Sequence, residues 1–239
     1  MKRLSGAPTL SPPQLGARND PRLARKQGLA TARNLRSVGV NVDLAPVLDV
    51  GRRGSIMRRQ GRSFSGSPAR VARIGGAFAG GLRAGQVAAT GKHFPGLGAA
   101  TKNQDLEVNR IGLSLKQLRT IDERPYKGLD LSLVMLSSAI YPALSGSPAV
   151  FSRKVVTDEL RGRVGFGGAT ISDALDAPAM ARYGSPARRS LRAARAGVDL
   201  LLFSRAPASL TGALAKGLPD KALRESARRT LELRATLPR

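Results

Sequence analysis

Apolar residues follow two rhythms along this chain, and the rhythms take turns. Asp20-Pro21 offers an N-cap with Pro at the first helical position, and a helix is predicted from there to about Ser37, stopped by Gly39. Val40–Val47 (VNVDLAPV) then runs short and β-branched, as a buried strand does. Ser67-Pro68 repeats the helix start; Val71, Ile74, Phe78 and Leu82 share one helical face, and Gly85 ends it. Val87–Thr90 reads as the next strand. Ser114 with Gln117 makes a capping box, Leu131–Leu136 (LSLVML) is a continuous apolar strand, and Ser152 caps a helix to about Arg161. Ala169–Ile171 is another strand, Ser185-Pro186 opens a helix closed by Gly197, Val198–Phe203 (VDLLLF) is the last strand, and an Arg-rich helix follows from about Pro219. Residues 7–16 read as an exposed, Pro-rich lead-in.

Continuous rather than alternating apolar strands, each flanked by helices, predict parallel strands covered on both faces. That defines an α/β fold, either a doubly wound sheet or a β/α barrel, and the pattern does not choose between them. No internal repeat or linker divides the chain, so residues 1–239 are read as a single domain.

Composition sharpens this picture at three points. The apolar fraction of 41% supports a real core, but aromatics are 4% and Trp is absent, so that core is aliphatic. With no Cys, disulfides, thiolate zinc sites and Cys nucleophiles are excluded. The net charge of +24 raises the question of a nucleic-acid partner. The basic residues are scattered, however, with no zinc-finger spacing and no RRM-type aromatics, so composition of a GC-rich genome is the preferred explanation and no specific nucleic-acid partner is expected. No apolar run approaches the ~20 residues of a membrane span. Met1-Lys2-Arg3-Leu4-Ser5-Gly6 has charges but no apolar stretch behind them, unlike a secretion signal, and the compartment stays open.

In parallel α/β folds, chemistry collects just past the carboxyl ends of the strands. Those positions hold Asp49, then Gly61-Arg62-Ser63-Phe64; Lys92-His93-Phe94-Pro95-Gly96; Ser137-Ser138; and Ser172-Asp173. His93 is the only His, and a lone His is more often a core residue than a ligand; Lys92 and the Phe-Pro-Gly turn beside it favour a functional role. Asp173 alone would be a common helix N-cap. Gly165-Phe166-Gly167-Gly168 precedes a strand instead of joining strand to helix, so it is no phosphate cradle.

Lys92–Gly98 (KHFPGLG) resembles the KHFPGHG signature of family 3 glycoside hydrolases. Asn41–Val50 (NVDLAPVLDV), Gly61–Ser65 (GRSFS) and Thr170–Leu175 (TISDAL) resemble three further family segments in the family's order. The resemblance covers the chain from about residue 7 to its end and points to the β-N-acetylhexosaminidase branch. It implies a (β/α)8 TIM-type barrel. Two strands and an Asp-Gln-Glu-Gly-Gly loop that precede the Val40 segment in relatives have no counterpart here. An incomplete barrel lacking roughly its first two strands is therefore expected, with open edges, an uncovered inner face and self-association through them.

The same resemblance implies retaining, exo-acting hydrolysis of β-linked N-acetylhexosamines, plausibly in peptidoglycan fragments, without a cofactor or metal. Asp173 matches the nucleophile, and Arg62, Lys92 and His93 match residues that bind the sugar hydroxyls. The branch's acid/base is a His in a D-x-H dyad. Here Asn103 and Asp105 stand at those positions and Leu97 replaces the signature's second His; since His93 is the only His, no such dyad exists. Asp105 is the candidate acid/base, with Glu107 behind it, although Lys102 and the polar loop favour an ionised carboxylate. Two other readings accompany the glycosidase: a catalytically impaired sugar-binding pseudoenzyme, and a basic nucleic-acid-associated protein.

Overall fold

The structure is a computed structural model that describes residues 4–238; the start at Met1-Lys2-Arg3 lies outside the described residues. Four strands, β1 (Val42–Asp43), β2 (Ala88–Phe94), β3 (Leu133–Leu136) and β4 (Ala169–Ser172), form one parallel sheet in sequence order. Eight α-helices accompany them: α1 (Pro12–Arg18), α2 (Pro21–Arg36), α3 (Ile56–Arg59), α4 (Pro68–Ala84), α5 (Leu115–Gln117), α6 (Pro186–Ala196), α7 (Leu210–Gly217) and α8 (Asp220–Ala235). None of the described helices is long and apolar enough to cross a membrane.

The predicted caps form as read. Asp20 accepts the N–H groups of Arg22 and Leu23 at 2.8 and 3.2 Å, Ser67 and Ser185 accept those of Arg70 and Arg188, and Ser114 and Gln117 close a capping box. Helices α2 and α4 cross where Gly28 and Gly81 face each other's backbone. A Cβ on Gly81 would lie 2.2 Å from the Arg25 carbonyl oxygen, so a side chain there would force the helices apart.

Four expectations need correction. The lead-in is not exposed throughout: Ser11 and Gln14 form a capping box that starts α1, which buries Leu15. The first strand is short because Pro46 has no N–H for the ladder, and pairing resumes only at Val47 opposite Lys92. The segment 198–203 is not a strand but a single bridge from Leu200 to Ile171; the Thr170 N–H that would extend the ladder donates instead to Asp199 Oδ2 at 2.8 Å. The helix expected after Ser152 is a π-helical run, Lys154–Val164, ended by Gly165 at φ 84°. Among the described residues the sheet thus has four strands and one bridged segment.

Alternate strand residues enter two cores. Ala89, Val134 and Leu136 pack with Leu82, Phe78 and the other helix residues. Ala88, Leu133, Met135, Ala169 and Ile171 form a second cluster on the other face. That face was expected to be bare, yet Leu233 and Leu237, on and just beyond α8, pack on it. Asp199, its side chain fully buried, fastens the arrangement: it accepts from Arg161 at 2.7 Å and from Arg229 of α8 at 2.8 Å.

Candidate active site

The carboxyl ends of β2, β3 and β4 place His93, Ser137 and Asp173 on one rim, as expected for a parallel sheet. His93 is held from behind. Its Nδ1 lies 2.7 Å from Asp49 Oδ2, and Asp49 Oδ1 accepts the backbone N–H of His93 at 3.1 Å and of Leu97 at 2.6 Å. Arg62 stands 3.4 Å from His93 Nε2. A guanidinium only donates, so Nε2 accepts and the ring proton sits on Nδ1, donated to Asp49. Ser63, next to Arg62, ties its segment to the same strand end through Oγ, which donates to the Asp49 carbonyl at 2.7 Å.

The signature turn after β2 works through close approach. At Gly98 a Cβ would lie 2.0 Å from the Val50 carbonyl oxygen, so only glycine lets the turn lie against the strand end. Arg52 and Asp122 lock the far side of the turn with two hydrogen bonds of 2.6 Å. Leu97, at the position of the signature's second His, is fully buried.

Asp173 Oδ2 lies 3.9 Å from His93 Nε2, and Oδ1 accepts the Ala174 N–H at 2.8 Å. Lys92 is largely buried, and this, followed by repulsion from Arg62, lowers its pKa from the usual lysine value, while the charges of Asp173, Asp43 and Asp49 oppose the shift. The structure brings Arg62, His93 and Asp173 together, with Lys92 beside His93; Lys92 and His93 lie within β2, which runs on to Phe94 past the expected end at Thr90.

Asp105 lies on the loop after the signature turn, next to Gln104. Its side chain is at the surface, while partial burial, then the charge of Asp173, raises its pKa above the usual carboxylate value; His93, Arg62 and Lys92 act in the opposite sense. The loop is pinned by its backbone: the Asp105 carbonyl accepts the Ala179 N–H at 3.0 Å, and the Asp105 N–H donates to Asn103 Oδ1 at 3.1 Å. Glu107, the second acid candidate, pairs with Lys102 in solvent.

Sequence reasoning missed one contact and the role of two neighbours. Gln104, 6% exposed, donates through Nε2 to Asp173 Oδ2. Asp49 and Ser137 were noted only as polar residues after strands, and they turn out to support His93 and Gln104. Nothing in the sequence distinguishes Gln104 from its polar loop neighbours. Among the described residues no group of three or more His, Asp or Glu is placed to hold a metal ion.

The structure thus has a parallel α/β sheet with a carboxylate and cationic groups at its carboxyl rim, and comparison with known proteins gives the family. Residues 1–233 match the Glycosyl hydrolase family 3 N terminal domain. The chain is 40% identical over 256 aligned residues to an uncharacterized secreted glycosyl hydrolase of Arthroderma benhamiae, covering 99% of this chain and 72% of that protein. It is 36% identical over 199 residues to a beta-hexosaminidase of Pseudomonas aeruginosa, covering 82% of this chain and 60% of that one. Among solved structures, the beta-N-acetylhexosaminidase from Beutenbergia cavernae superposes with a TM-score of 0.86 at 29% identity, covering 94% of this chain and 71% of that chain. This chain belongs to glycoside hydrolase family 3. It spans about 60% of the Pseudomonas aeruginosa relative's length.

Proposed function

We propose that this chain carries the catalytic site of a retaining, exo-acting glycosidase that releases β-linked N-acetylhexosamine from carbohydrates, including peptidoglycan fragments. The observation that carries this reading is the meeting of the Asp173 carboxylate with His93, 3.9 Å away, and with the charges of Lys92 and Arg62. The kinship with proteins named beta-hexosaminidase supports the choice of sugar.

In this scheme Arg62, Lys92 and His93 bind the sugar hydroxyls and place the anomeric carbon beside Asp173. An Asp173 oxygen bonds to that carbon as the bond to the leaving oxygen breaks, and Asp105 gives the leaving oxygen its proton. Water then attacks the same carbon, yielding a proton back to Asp105 and freeing Asp173. Two inversions leave the released sugar with its original β configuration. The raised pKa of Asp105 suits a proton donor.

The finer architecture proposed is a single partial (β/α)8 barrel domain over residues 1–239, without roughly the first two strands. The outer edge of β1 is the surface through which self-association would occur.

The test is hydrolysis of an aryl β-N-acetylglucosaminide by the wild type and by Asp173→Ala. The wild type is expected to turn over and the variant to lose nearly all activity, because removing a nucleophile closes the covalent route. Sugar binding by the wild type without turnover would favour the pseudoenzyme. Equal turnover by both proteins would remove Asp173 from its role.

A further inference from the structure

Behind Asp173 a buried chain of hydrogen bonds leads to the segment just past the end of β3. The Ala139 N–H donates to Ser137 Oγ at 3.0 Å, and Ser137 Oγ donates to Gln104 Oε1 at 3.4 Å. Gln104 Nε2 in turn donates to Asp173 Oδ2. Chemistry fixes the direction of the amide. An ionised carboxylate only accepts, so the amide nitrogen must face Asp173; its oxygen then meets a hydroxyl that is able to donate. The opposite orientation would set two acceptors against each other. Ser137 is fully buried and Gln104 nearly so, which leaves the amide little freedom to turn to water.

We propose that Gln104 is a positioning residue for Asp173. The Ala174 N–H holds Oδ1 at 2.8 Å and Gln104 holds Oδ2, the oxygen turned towards His93. A carboxylate held at both oxygens does not rotate about its Cβ–Cγ bond, so one oxygen keeps a fixed approach to the sugar carbon. Such orientation accelerates the chemical step without strengthening substrate binding. The inference deepens the glycosidase reading and rests on Asp173 being its nucleophile.

The test uses Gln104→Ala and Gln104→Glu in the full 239-residue chain, with two readouts. The first is turnover of an aryl β-N-acetylglucosaminide. Gln104→Ala is expected to lower kcat by ~10- to 100-fold, the cost of one charge-assisted hydrogen bond, with KM changed by no more than about twofold. Gln104→Glu sets a second carboxyl beside Asp173, so the acid limb of the rate profile moves upward by about one pH unit or more. The second readout is titration of the Asp173 carboxyl carbon by NMR, which needs no turnover; its midpoint is expected to rise in Gln104→Glu relative to wild type. Should Gln104→Ala fail to fold, the nearly isosteric Gln104→Glu decides alone. An unchanged Asp173 midpoint in Gln104→Glu, or wild-type kcat in folded Gln104→Ala, overturns the inference. A wild type without turnover would instead sink the glycosidase reading, while the titration still decides whether Gln104 holds Asp173.

Discussion

Asp105 and Gln104 are neighbours with opposite placements: Gln104 is buried and donates to Asp173, while the Asp105 side chain lies at the surface. Alignment of the signature loop identified Asp105 as the residue at the acid's position, but it gave no sign that Gln104 would make the buried contact. His93 is buried against Asp49, and its Nε2 lies 3.4 Å from Arg62 and 3.9 Å from Asp173. Asp105→Ala is expected to cost little on an aryl glycoside with a good leaving group. On a natural sugar leaving group it should cost ~10²–10⁴-fold, as loss of a general acid does. The pH dependence follows from the raised pKa: the acid is competent below it, so activity falls as pH rises through a point above the usual carboxylate value, and Asp105→Ala abolishes that limb. Rates on both substrate classes across pH would check this. Equal rates for variant and wild type on both would leave solvent as the proton source.

At the scale of elements, the helices with a clear cap were legible because that signal is local, whereas α1, α3 and α7 were not read from the sequence. Asp20, Ser67, Ser114 and Ser185 cap helices through groups a few residues away. Strand limits depend on partners far along the chain, and there the reading slipped at Pro46 and Asp199. Asp199 looked like one polar residue inside an apolar strand; in the fold it is a buried junction between Arg161, Arg229 and the Thr170 N–H. Replacing it would leave two largely buried guanidinium groups without their carboxylate. Asp199→Ala is therefore expected to lower the unfolding free energy by roughly 3–5 kcal/mol. Denaturant unfolding monitored by circular dichroism measures it, and a loss below about 1 kcal/mol would show that the junction contributes little.

For the whole molecule, the family signature marked the carboxyl end of β2, where the strand runs through Lys92 and His93 into the turn at Pro95. The packing of Leu233 and Leu237 across the second face of the sheet was not legible. In the sequence, α8 reads only as an Arg-rich helix, and nothing local says which surface its leucines meet. The sheet and its helical cover thus serve one purpose here: they hold Asp173 at a fixed place beside His93, with Lys92 and Arg62 near enough to act on it electrostatically. Trapping the covalent intermediate tests that placement most directly. The full chain is incubated with a slowly turned-over fluorinated aryl β-N-acetylglucosaminide, digested and examined by mass spectrometry. The expected result is one sugar added to the peptide that contains Asp173, and no adduct in Asp173→Ala. Turnover without an adduct, or an adduct on another residue, would contradict the assignment of Asp173 as nucleophile.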